Sequence, residues 1–266
     1  MHFNSDKFEC IRYWPGRGGI PQEHYQSPEG EEIEEKINIK DLGIQLSNDL
    51  TFKYHIQKTV VSASKLVGWA LRTFQRRSQG IMVTIWKCLI QPKMDYCSQL
   101  WSPSDQASIA DLENFQRNFT SNIVGMEGMD YWERLAALRL YSQERRRERY
   151  MIMFTWKISQ GLVHGYSVPF TTEGRRGRLA VPKAVNRHAP ASVKQAMECS
   201  LPVKGANLFN LLPLYIRNLN ALNAGEVGLF KSKLDEFLSR VPDQPTIQGS
   251  PRAAETNSLL HQIPIL

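Results

Sequence analysis

Residues 79–125 constrain this chain more than any other stretch. Met82, Trp86, Ile90, Met94, Cys97 and Trp101 recur at steps of three and four, which traces one face of a helix. Pro92 interrupts that face. It has no N–H to give and crowds the carbonyl four residues back, so a kink is expected there. Pro103 stops the pattern, and Ser104 is placed to cap a second helix carrying Ile109, Leu112, Phe115, Phe119 and Ile123. The spacing predicts a helical hairpin joined at Ser102–Ser104, with two apolar faces that must meet. Trp86 and Trp101 bring large buried area to its first arm, which makes the hairpin a candidate core.

A hydrophobic fraction of 42% suits a packed interior for 266 residues. Charge is divided unevenly. The first 50 residues hold five Lys/Arg against ten Asp/Glu, a balance of −5, so residues 51–266 carry +12 within the net +7. A basic body suggests an anionic partner. Cys10, Cys88, Cys97 and Cys199 form no C-x-x-C pair and have no His at zinc spacing, so no metal or other cofactor is expected. Four thiols without a signal peptide point to an intracellular, non-secreted chain. Cys88 and Cys97, in an apolar helical stretch, read as small core residues. No run of 18 apolar residues exists, so no membrane contact is expected, and no small-molecule substrate is indicated.

The first 50 residues read as two to four short antiparallel strands, with alternation through Ile37, Ile39, Leu42, Ile44 and Leu46. A long amphipathic helix follows over 51–78, with Phe52, Ile56, Val60, Ala63, Val67, Leu71 and Phe74 inward, and Asn48 or Thr51 at its start. Arg72, Arg76 and Arg77 load its end. Residues 130–140 suit a short helix with Tyr131, Leu135 and Leu138 on one side. Ser142 can cap the next helix, 142–161, with Met151, Phe154, Ile158 and Leu162 inward. Arg145, Arg146, Arg147 and Arg149 crowd its first turns, where positive charge opposes the helix dipole. Such a cluster reads as an anion-binding group or a solvated face. Gly174–Arg178 adds Arg175, Arg176 and Arg178 to a basic stretch without periodicity. A helix over 226–239 turns Val227, Phe230, Leu234 and Phe237 inward, and the Pro/Ser/Gln-rich end reads as disordered.

The expected class is mainly α. A small N-terminal antiparallel β-ribbon (1–50) precedes a multi-helix bundle (51–164). A basic irregular linker (165–205), a C-terminal helical segment (206–241) and a disordered tail (242–266) follow. No P-loop, G-x-S-x-G or H-E-x-x-H is present, no two Asp are adjacent, and His55 reads as a packed or surface side chain.

A series of landmarks resembles the C-terminal part of jockey-type non-LTR retrotransposon reverse transcriptases. Met1–Glu9 looks like the segment after the polymerase catalytic loop. Asp41-Leu42-Gly43-Ile44, with Leu50-Thr51-Phe52 and His55-Ile56, looks like the strand-to-thumb junction. Asp95-Tyr96-Cys97-Ser98, Trp101-Ser102-Pro103, Leu112-Glu113 and Gln116-Arg117 resemble the helical region beyond it. Tyr131, Glu133-Arg134-Leu135, Leu138, Leu140 and Glu144-Arg145-Arg146 continue the pattern. Leu212-Pro213, Phe230-Lys231, Leu234-Asp235 and Val241–Pro245 close it. The resemblance implies the end of a palm, a thumb and a post-thumb region of an RNA-directed DNA polymerase. In that family the catalytic aspartates lie upstream of the segment resembling Met1–Glu9. The resemblance therefore implies a truncated fragment, inactive by itself, with no catalytic residue here. Lys7 matches a lysine associated with pyrophosphate departure. The implied partner is RNA or RNA–DNA duplex, held by its phosphates independently of sequence. The arginines at 72, 76, 77, 145, 146, 147, 149, 175, 176 and 178 are the candidate contacts. Two other readings stay open. One is a helical protein-interaction module that binds no nucleic acid. The other is part of an active enzyme completed by an upstream region.

Overall fold

The computed structural model describes residues 7–13, 23–165, 172–173, 177–182, 188, 191–221, 225–245 and 257–263. The chain is mainly α, with a small two-stranded antiparallel sheet near its N-terminus. It divides into two compact units, Met1–Ser62 and Ala63–Leu266. The second unit begins inside the first long helix.

The first unit holds a hairpin of β1 (Asn38–Asp41) and β2 (Ile44–Ser47), paired Asn38 with Ser47 through Asp41 with Ile44. Leu42 and Gly43 turn it, both with positive φ (44° and 90°). Two positive-φ residues make a turn whose twist matches the strands it joins. Single bridges tie Cys10 to Glu35 and Gln26 to Glu32, so among the described residues the ribbon is one hairpin with two bridges. Helix α1 (Lys53–Thr73) follows. His55, near its start, is buried, and its Nδ1 accepts the Gln45 N–H at 3.3 Å. Nε2 lies 3.4 Å from the Thr59 hydroxyl. The ring is therefore packed between strand and helix, and burial lowers its pKa.

In the second unit the predicted hairpin forms. Its first arm runs through α2 (Gln79–Ile85), a π-helical turn (Trp86–Ile90), α3 (Gln91–Asp95) and α4 (Ser98–Trp101). The kink expected at Pro92 is realised as that π turn, where the Gln91 N–H reaches back five residues to the Trp86 carbonyl. The wider turn relieves the clash that the proline ring would make with a regular helix. The second arm is α5 (Gln106–Thr120), capped by Asp105 rather than Ser104; its carboxylate accepts the Ser108 N–H at 3.0 Å. Trp86 packs on Phe115 and Phe119 with ring centroids 5.8 and 4.8 Å apart. Trp86 and Trp101 are both 1% exposed. Cys88 and Cys97 are exposed, against expectation. The buried line runs Met82, Trp86, Ile90, Met94, Ser98, Trp101, because Cys97 takes a left-handed conformation (φ 50°) that breaks α3 from α4 and puts Ser98 inside.

Helix α6 (Tyr131–Leu138) starts in a capping box formed by Asp130 and Glu133. Helix α7 (Gln143–Ser159) starts at Ser142, whose hydroxyl accepts the Arg145 N–H at 3.1 Å. The strand pair β3 (Thr172–Glu173) and β4 (Arg178–Leu179) comes next. The stretch expected to be an irregular linker to residue 205 contains α8 (Ala191–Cys199) and a π turn at Leu201–Gly205. Then come α9 (Ala206–Asn210), α10 (Leu214–Arg217), α11 (Glu226–Leu238) and α12 (Leu259–Gln262). Met151, Ile152 and Trp156 of α7 share a core with Phe209, Ile216, Phe230, Leu234 and Leu259. Trp156 stacks on Phe230 at 4.2 Å and 6°. The described residues of the expected tail are built in: Asn257, Ser258 and Leu259 are buried, 0%, 6% and 1% exposed.

Candidate nucleic-acid interface

The arginine cluster of α7 does not face outward. Arg145, Arg147 and Arg149 are buried, and Arg146 is half-buried. Each has partners inside the unit. Arg145 donates to the Pro242 carbonyl at 2.9 Å, the Val241 carbonyl at 3.3 Å and the Gln262 side-chain oxygen at 2.8 Å. Arg146 forks onto Asp95 at 2.8 and 3.1 Å. Burial pushes the Asp95 carboxyl up, against the pull of that guanidinium. Arg149 forks onto Asp235 of α11. Arg147 donates to the Gln143 carbonyl at 3.0 Å and lies 5.1 Å over the Trp101 ring. Burial brings its pKa down to about 10.

The same turn is capped by carboxyl groups brought from elsewhere. Glu113 of α5 accepts the Glu144 N–H at 2.9 Å and the Tyr131 hydroxyl at 2.8 Å. Asp243 accepts the Ser142 N–H at 2.8 Å. The first N–H groups of a helix have no partner within it, and here their acceptor oxygens arrive from residues 31 and 101 positions away. Burial pushes Glu113 up to about 8. Glu148 accepts from the Ser258 hydroxyl and, at 2.9 Å, from the Leu259 N–H, which fixes the start of α12. These side chains tie α3, α4, α5, α11 and the C-terminal segment to one turn of α7. A guanidinium enclosed this way is not available to a phosphate backbone.

The cluster at the end of α1 is different. Arg72 and Arg76 are exposed, and no ion pair to either occurs among the described residues. Arg77 is half-buried and bonded to the Leu71 carbonyl and the Asn122 side chain at 3.3 and 3.4 Å. Arg178 is half-buried on β4. Arg175 and Arg176 lie outside the described residues, as does most of the segment 1–9; Lys7 is exposed.

One signal in the sequence was missed. Between Asp49 and Asp95 there is no carboxylate at all, against eight Lys/Arg. On α1, Lys65, Trp69 and Arg72 fall at steps of four and three and are all exposed. This acid-free run carries exposed positive charge that the α7 cluster does not.

Among the described residues, no group of three or more His, Cys, Asp or Glu is placed to hold a metal ion. No described helix is long and apolar enough to cross a membrane. An open hollow of about 430 Å³ in the first unit is lined by Glu9, Cys10, Ile11, Arg12, Tyr25 and Ile33. No protein-family model, curated protein or solved structure matches this chain.

Proposed function

We propose that the chain is the thumb and post-thumb part of a jockey-type reverse transcriptase, and that it holds RNA or an RNA–DNA duplex by its phosphates. One observation carries the reading: a β-hairpin at Asp41–Ile44, where the sequence resembles the strand-to-thumb junction, leads into a long helix without a single carboxylate. Lys65, Arg72 and Arg76 supply the phosphate contacts in place of the enclosed α7 arginines. Phosphate contact needs charge and reach rather than a base-reading pocket, so binding is indifferent to sequence. Nucleotide addition is assigned to no residue here.

The test is a titration of a labelled RNA–DNA hybrid at several salt concentrations. Three phosphate contacts give a log–log slope of about −2 to −3, at roughly −0.7 to −0.9 per contact. Absence of binding at low salt rejects the reading. The second reading, a protein-interaction module, is favoured by the exposed apolar side chains Ile81, Leu89, Tyr96 and Leu100 on the first hairpin arm. It predicts no affinity for the hybrid at any salt concentration.

A further inference from the structure

Trp69 is 44% exposed in the middle of the basic stripe. An indole is a costly side chain to leave in water, and nothing in the core requires it there. Its ring meets Phe74 edge-on, with centroids 6.0 Å apart and planes at 84°. The contact steadies the ring while leaving 44% of the residue exposed. Lys65 lies one turn before it and Arg72 one turn after, both exposed. Gly68 adjoins it, and the Arg72 guanidinium folds back over that residue: a Cβ there would stand 3.6 Å from Nη1. Glycine inside a helix costs about 1 kcal/mol relative to alanine. Here it leaves room for the Arg72 side chain to fold back along the helix. The stripe therefore offers two exposed cations flanking a half-exposed indole, with no carboxylate on the same helix.

That combination separates two forms of nucleic acid. A duplex presents phosphates but keeps its base faces stacked inside. A single strand presents both, and any base can stack on an aromatic ring. We propose that this stripe takes single-stranded RNA or DNA, with Lys65 and Arg72 on flanking phosphates and Trp69 stacked on the unpaired base between them. The inference rests on the nucleic-acid reading above and adds the class of strand and the residue that selects it.

The experiment uses the full chain and two probes of the same sequence, a labelled 12-nucleotide RNA and that RNA paired to its DNA complement, at one low salt concentration. Wild type is compared with Trp69→Leu, Trp69→Phe and Lys65→Ala/Arg72→Ala. Losing one stacked base weakens single-strand binding by about 5- to 150-fold. Trp69→Leu is expected to show that loss on the single strand and less than a twofold change on the hybrid. Trp69→Phe keeps a ring and recovers most of the loss, which separates stacking from a general effect on the fold. The double variant weakens both probes. If Trp69→Leu changes both probes equally, or neither, the stacking inference is overturned while the phosphate-binding reading stands. If wild type binds neither probe, both fall.

Discussion

Two arginine clusters of similar size sit at opposite ends of helices and meet opposite fates. At the end of α1, Arg72 and Arg76 are exposed. At the start of α7, Arg145, Arg147 and Arg149 are enclosed by carboxylates, carbonyls and the Trp101 ring. The clusters themselves do not differ in kind. Their neighbourhoods do: the helix ending at Arg72 carries no acid, while Asp95, Glu113, Asp235 and Asp243 all converge on the turn beginning at Ser142. Positive charge becomes structure where distant acids meet it, and stays available for a ligand where they do not.

The largest expected effect is at the enclosed cluster's support. Trp101→Ala removes a fully buried indole, its Nε1–H bond to the Tyr96 carbonyl at 2.7 Å and the ring beneath Arg147. Truncating a buried Trp costs about 3–5 kcal/mol. An unchanged urea midpoint would separate the Arg147 environment from the core.

A smaller loss is expected where the π turn at Leu201–Gly205 crosses α7. A Cβ on Gly205 would come within 2.3 Å of the Thr155 hydroxyl oxygen. Gly205→Ala should therefore cost about 1–3 kcal/mol, the usual range for overpacking. Adding Thr155→Ala removes the clashing oxygen and should recover part of the loss. If the second change makes matters worse, the close approach is not the cause.

The smallest effect belongs to the other unit and to pH. His55 is held neutral, accepting the Gln45 N–H, with its pKa below the ordinary 6.5. Above that value the folded and unfolded states are both neutral and the full contribution is present. As pH falls through 6.5 the unfolded chain takes up a proton before the folded one does, so stability declines. Glu113, pushed up to about 8, works in the opposite direction over the same range. The His55 contribution is therefore read as the difference between wild type and His55→Gln in a melting series from pH 7.5 to 5.5, a difference that should shrink as pH falls.

Much of the fold was legible because its signals are local. The steps of three and four through Met82, Trp86 and Ile90 mark a buried face, and Ser142 before a helical run marks a cap. Pro92 announced a kink, though the sequence alone did not say that a π turn would absorb it. Cys97 misled because its periodicity holds only if the helix continues, and a left-handed residue breaks it there. The C-terminal segment looked disordered because its composition is polar. Its order comes from Arg145 and Glu148, more than 90 residues earlier. The α7 cluster misled for the same reason: dipole and self-repulsion can be read along a helix, but the carboxylates that offset them come from other elements. The acid-free run from residue 50 to 94 needed no structure to be seen, only a search for missing charge rather than for clustered charge.

The contrast between the clusters can be tested with two matched double variants, Arg145→Ala/Arg149→Ala and Arg72→Ala/Arg76→Ala, by urea unfolding of the full chain. Arg145→Ala leaves the Pro242 carbonyl and the Gln262 side-chain oxygen without their buried donor, at about 1–3 kcal/mol each, whereas exposed substitutions usually stay within about 0.5 kcal/mol. The account predicts a large fall in midpoint for the α7 variant and an unchanged midpoint for the α1 variant. An α7 variant as stable as wild type would contradict it.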